Sequence, residues 1–211
     1  MIGFEFDGLY WHSELAGCRK SLMVKTNMCN SAGVQLVHVL EDEWDLRKEQ
    51  CKAKIREVLG VYDPVCSKFK VCRVSREYAQ AFLDSNCCDI FARASAFNFA
   101  AVSDVGKMLA TIGVSVFDGI VTFHNMCCSV DCVNLDVVDS IVDHVIREYG
   151  RTMCFQAKAD GRWPSMLSRF DVCSHSQPSK WTVDCSKWLR TGICRSAAKP
   201  SSDVTYITDC G

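Results

Sequence analysis

The sequence predicts an α/β protein in two parts, and three observations carry that prediction. Val34-Gln35-Leu36-Val37-His38-Val39-Leu40 is a near-continuous β-branched and aliphatic run, the pattern of a strand buried inside a sheet. A helical pattern follows in which Trp44, Cys51, Ile55 and Val58 share a face, with Gly60 at the position where a left-handed C-terminal residue is favoured. After Val61-Tyr62-Asp63-Pro64, which reads as a linker, the pattern restarts with an alternating strand from Phe69 to Val74. The chain of 211 residues suffices for two small domains. The expected parts are residues 1–60, a mixed α/β domain over 61–195, and a small polar, loose tail over 196–211.

The elements follow in order. Ile2 to Phe6 has strand character, and Asp7-Gly8 is a turn signal. From about Leu15 to Ala32, Leu22, Met23, Met28 and Cys29 alternate with Arg19, Lys20 and Lys25, as suits a helix with a basic wet side that Gly33 stops. Asp42 is placed to cap the helix that ends at Gly60, and Ser75 to cap one carrying Tyr78, Ala79, Phe82 and Leu83. A strand around Val114 to Phe123 and a helix from about Asp136 to Tyr149 complete the second part.

Composition narrows the class. Of the residues 48% are apolar, yet no stretch approaches the roughly 20 apolar residues of a membrane helix, so a soluble folded chain with no membrane partner is expected. Fifteen cysteines are an odd number, and the start has neither a basic nor a long apolar region of a secretory signal. Both point to a reducing, cytoplasmic setting in which most thiols serve as small buried hydrophobes. A net charge of −1 excludes a protein that coats nucleic acid by bulk charge, while leaving room for a local basic rim around an acidic site.

The chemistry-bearing residues gather at the beginning. Glu5 and Asp7 lie two apart on one strand and so share a face, and His12 follows five residues later. If the strand Val34 to Leu40 pairs beside the first, Glu41 and Asp42 come to the same edge. Phosphodiester hydrolysis uses such a mixture: carboxylates hold Mg²⁺, the ion activates water, and a histidine moves the proton. Lys20, Lys25 and Arg19 on the intervening helix would meet the DNA backbone. Each residue also has a plainer use: a solvated strand face for Glu5, a turn for Asp7, a structural histidine beside Trp11, and helix-start acids at 41 and 42.

The run Phe4-Glu5-Phe6-Asp7-Gly8-Leu9-Tyr10-Trp11-His12, then Lys25 to Gly33, then Gln35-Leu36-Val37-His38-Val39-Leu40-Glu41-Asp42-Glu43-Trp44, resembles the very-short-patch-repair (Vsr-like) endonucleases. It looks closest to their phage-encoded homing-endonuclease relatives of the EDxHD type, over about 55 residues. The resemblance implies a restriction-endonuclease-like core and metal-dependent cleavage of double-stranded DNA in the cytoplasm of an infected host cell. It implies proton transfer by His12, with Glu5 at the family's acidic position and Glu41 matching an acid after the next core strand. Asp7 stands where the family has histidine or lysine. The sequence begins after the family's strand with the principal metal-binding aspartate. The expectation is therefore a core lacking its first strand, with a sheet edge that a partner chain or the second half covers, or a shortened, inactive relative.

The second half resembles the C-terminal extension of some of these phage proteins, which is similar to acetyltransferase-like α/β folds, through Phe69 to Val74, Phe82 to Asn86 and Ala159-Asp160-Gly161-Arg162-Trp163. Acyl transfer itself is disfavoured, because Asp131-Cys132-Val133-Asn134-Leu135 puts a negative charge, and no glycine-rich turn, before the helix near Asp136. Two other readings compete. His124, Cys127, Cys128 and Cys132 lie close enough in sequence to bind zinc, though with irregular spacing. Arg162-Trp163 and the segment Lys180-Trp181 through Lys187-Trp188 set cations beside aromatics, as on a DNA-binding surface without cleavage.

Overall fold

The alternation at the chain start forms β1 (Ile2–Asp7), and the aliphatic run forms β2 (Gln35–Leu40). The structure is a computed structural model that describes residues 1–12, 21–63, 68–117 and 120–149, together with the backbone of short strands further on; the side chains at 11, 12, 21–23, 27 and 120 lie outside that description. β1 and β2 pair in parallel, with Glu5 opposite His38 and Asp7 opposite Leu40. Parallel neighbours need a crossover. Here α1 (Leu9–His12) and α2 (Ser21–Ser31) lie on it. α2 stops where the sequence places its glycine: Gly33 has φ 72°, and the Val34 amide donates back to the Cys29 carbonyl at 2.8 Å, satisfying an end carbonyl.

Strand parity gives β2 two faces with different cover. Val37 and Val39 are buried on one, where Val39 packs with Trp44 and Cys51. On the same face of β1, Phe4 and Phe6 are 41% and 57% exposed, so burial there stops at β2. The other face carries Glu5, Asp7 and His38.

The single helix expected after β2 is in fact two, α3 (Glu41–Leu46) and α4 (Lys48–Val58). Asp42 does not cap it; that residue is buried inside α3, and no side chain caps the helix start. Arg47, at φ −139° and ψ 47°, makes the break, and its guanidinium donates to the carbonyls of Cys87 at 2.7 Å and Asp89 at 3.2 Å. Hydrogen bonds from a charged donor contribute about 1.5–3 kcal/mol each. α4 ends at Gly60, with φ 71° and the Val61 amide on the Arg56 carbonyl at 2.8 Å.

Beyond the linker come β3 (Phe69–Val74), α5 (Arg76–Asn86), β4 (Phe97–Ser103), β5 (Met108–Phe117), β6 (Ile120–Cys128), α6 (Leu135–Tyr149) and β7 (Cys154–Ala157). The Ser75 hydroxyl accepts from the Tyr78 amide at 3.2 Å, capping α5. The five strands form one sheet in the order β3-β4-β5-β6-β7, antiparallel except for β7 beside β6. α6 covers one face through Val138, Ile141, Val142 and Val145 against Phe99, Ile112 and Phe123. Ala79 and Leu83 of α5 pack on the other with Cys127.

Two sequence expectations change in this part. The one strand placed over Val114 to Phe123 is the junction of β5 and β6, whose ends meet as Phe117 opposite Ile120; Asp118-Gly119 between them is a strong hairpin signal. β4 was not foreseen, because its Ala-Ala centre dilutes β-propensity, and burial of Asn98 through Ala101 defines it instead. Later come β8 (Asp171–His175), β9 (Trp181–Asp184), β10 (Leu189–Ile193) and β11 (Val204–Ile207), with β8 pairing β11 and β9 pairing β10. β11 falls in the tail expected to be loose; Val204-Thr205-Tyr206-Ile207 is a strand-forming run, and it finds a partner.

The mixed α/β class is thus present in both parts, and they are joined. Cys88 belongs to the cluster of Val39 and Cys51, and the Gln50 amide donates to the Ser85 carbonyl at 2.9 Å. Asp63 in the linker accepts both the Arg56 guanidinium at 2.7 Å and the Val133 amide at 3.0 Å. No helix among the described residues is long and apolar enough to cross a membrane.

Candidate functional site

Parity on β1 puts Glu5 and Asp7 on one face, and the parallel register sets His38 of β2 directly beside Glu5. Ligand atoms of these three residues all lie within 4.8 Å of one another, the only such group of three or more His, Cys, Asp or Glu among the described residues. His38 Nδ1 is 2.7 Å from Asp7 Oδ2 and 3.8 Å from Glu5 Oε2. The Asp7 side chain is fully buried, whereas Glu5 and His38 keep about a fifth of theirs exposed. A carboxylate buried this deeply needs hydrogen bonds, and the His38 ring at 2.7 Å provides one to Asp7 Oδ2.

Helix α2 lies over this face and supplies two neighbouring residues. Thr26 Oγ1 is 2.9 Å from His38 Nε2. The Lys25 ammonium donates to Glu5 Oε1, and this bond, then the charge of Glu5, holds the ammonium pKa above the ordinary lysine value. With neutral His38, two carboxylates against one ammonium leave one net negative charge. An ionised carboxylate only accepts, so the contact with Asp7 needs the ring proton on Nδ1; the ring then donates to Asp7, and its Nε2 accepts from the Thr26 hydroxyl.

Two carboxylates side by side suit a hard divalent cation such as Mg²⁺ or Mn²⁺, while both nitrogens of the imidazole beside them are engaged by Asp7 and Thr26. The residues present therefore fit a cation held between β1 and β2.

The residues singled out from sequence divide as follows. Glu5 and Asp7 meet. Glu41 and Asp42 do not join the convergent group: Glu41 lies one step past the β2 end, where its Oε2 accepts the Leu9 amide at 2.9 Å and caps α1, and Asp42 is buried in α3. His12 ends α1, and its side chain lies outside the described residues, as do Arg19, Lys20 and Arg162. Lys25 is present at the site, paired to Glu5 instead of standing free for phosphate.

His38 is the residue that sequence reasoning missed. Its signal was available: a titratable side chain inside an aliphatic strand, of the parity that pairing with β1 turns to the acids.

The zinc reading does not find its geometry. His124 Nε2 is 2.8 Å from Ser115 Oγ, and the Cys128 thiol bonds the Asn134 carbonyl at 3.6 Å. His124, Cys127, Cys128 and Cys132 do not converge as a ligand group. Burial pushes the Cys128 thiol pKa up, and the neighbouring Cys87 thiol together with burial does so for Cys127, so both stay protonated. Cys51, Cys87 and Cys88 are likewise buried, as small hydrophobes are. A cavity of about 20 Å³ beside them, bordered by Lys54, Glu57 and Asn86, has room for one water and no substrate.

Comparison with known proteins adds little. No protein-family model matches the sequence, and no curated protein does. A solved structure described as the GCN5-related glucosamine N-acetyltransferase region of a fungal multi-domain GH3 beta-N-acetylglucosaminidase aligns at 15% identity over 74% of this chain and 24% of that one, with a TM-score of 0.31. This chain thus spans about a quarter of that protein.

Proposed function

We propose that the protein is a DNA endonuclease of Vsr-like, homing-endonuclease type that hydrolyses phosphodiester bonds with a divalent cation held by Glu5 and Asp7. One observation carries the reading: two carboxylates and an imidazole from adjacent parallel strands come within 4.8 Å of each other, with a lysine at the rim. The resemblance of residues 4–44 to that family supports it independently of the geometry.

When bound, the cation neutralises the scissile phosphate and activates water. Asp7, buried and hydrogen-bonded to His38, offers a carboxylate whose direction is set before any ligand arrives. Glu5, nearer solvent, presents its second oxygen to the same spot. His38 orients Asp7 through Nδ1 and is itself fixed by Thr26. His12 keeps the proton-transfer role that the resemblance implies. Double-stranded DNA is the substrate and, with Arg19, Lys20 and Arg162, the partner; a second chain would cover the β1 side, where Phe4 and Phe6 are exposed.

The test is nicking of supercoiled plasmid with Mg²⁺, with a chelator control. The wild type should nick, the chelator should stop it, and Asp7→Asn and Glu5→Gln should each lower the rate by a factor of about 100 or more, as removal of charge stabilisation at a reacting centre does. Undiminished nicking by Asp7→Asn contradicts the reading. DNA binding by the wild type without metal-dependent nicking favours the non-cleaving DNA-binding alternative.

A further inference from the structure

Glu5 has a different neighbour on each oxygen. Its Oε1 accepts the Lys25 ammonium, and its Oε2 turns towards His38 Nδ1 at 3.8 Å. The ammonium therefore sits on the carboxylate that faces the cation position. Half of the Lys25 side chain is exposed, and ion pairs at that exposure add little to a fold, so holding α2 on β1 is not a sufficient account of it. Resting on the metal-site reading above, we infer that Lys25 is a tethered competitor of the divalent cation: it occupies the charge of Glu5 in the ion-free protein and must yield for the site to load.

The sign separates this role from that of a strut. A strut, once removed, leaves a looser site that binds a cation equally or more weakly. A competitor, once removed, leaves a carboxylate with an unspent charge and no repelling ammonium, so binding tightens.

The experiment is titration of purified full-length protein with Mn²⁺ alone, without DNA, followed by isothermal calorimetry, with circular dichroism to check each fold. Lys25→Gln should bind Mn²⁺ about tenfold tighter than wild type, the scale expected for removing one charge near a partly solvated site. Lys25→Arg, which keeps the positive charge, should stay near wild type, and Glu5→Gln should lose binding. Unchanged or weaker binding by folded Lys25→Gln overturns the competitor role while leaving the metal site intact. Absence of Mn²⁺ binding in wild type and Lys25→Gln alike overturns both.

Discussion

Single residues decide where the backbone turns, and three glycines separate two causes. Gly33 and Gly60 have φ of 72° and 71° and open space where a Cβ would stand, so only conformation makes them glycine. Replacement of either by alanine should cost about 1 kcal/mol in urea denaturation. Gly113 has the opposite problem: a Cβ there would lie 2.4 Å from Ser95 Oγ and 3.2 Å from the His124 carbonyl. Gly113→Ala should therefore cost more, about 1–3 kcal/mol, through forced displacement. At this scale the sequence was informative about Gly33 and Gly60, whose positions just after helix-forming runs identify them. It was silent on Gly113, whose constraint comes from a loop 18 residues away in the chain.

At the scale of elements, legibility tracks how local the cause is. β1, β2, the Ser75-capped α5 and α6 were readable from periodicity and caps. The division of α3 from α4 was not, since Arg47 leaves helical geometry to reach carbonyls at 87 and 89. Arg47→Ala should lower stability by about 2–4 kcal/mol, measured by chemical denaturation, because two buried-side carbonyls lose a charged donor. Little change would mean that chain geometry at 47 causes the break. The candidate site shows the same division. Glu5 and Asp7 were visible as a same-face pair, whereas Glu41 and Asp42 stand outside the convergent group because a helix begins at 41, with Glu41 accepting the Leu9 amide and Asp42 buried within that helix. His38 required the register of β1 against β2, a long-range fact that neither strand states alone.

For the whole molecule, the joint between the two parts matters most, and Asp63 sits at its centre. The Val133 amide and then the Arg56 guanidinium hold its carboxyl below the ordinary aspartate range. A depressed folded value means stability that is present above the unfolded value, about 3.9, and is lost as pH falls through the folded one. Acid should accordingly loosen the joint, and Asp63→Asn should flatten the acid limb of stability measured between about pH 5 and pH 2. A mutant with an unaltered acid limb would assign that limb to other carboxylates.

The central claim, that Glu5 and Asp7 hold one cation between parallel strands with His38 orienting Asp7, is tested most directly by the anomalous signal of Mn²⁺ in crystals of the protein. The account predicts a peak about 2.1 Å from a carboxylate oxygen of both Glu5 and Asp7, with Lys25 moved off Glu5. A peak elsewhere, or none with Lys25 still on Glu5, would contradict it.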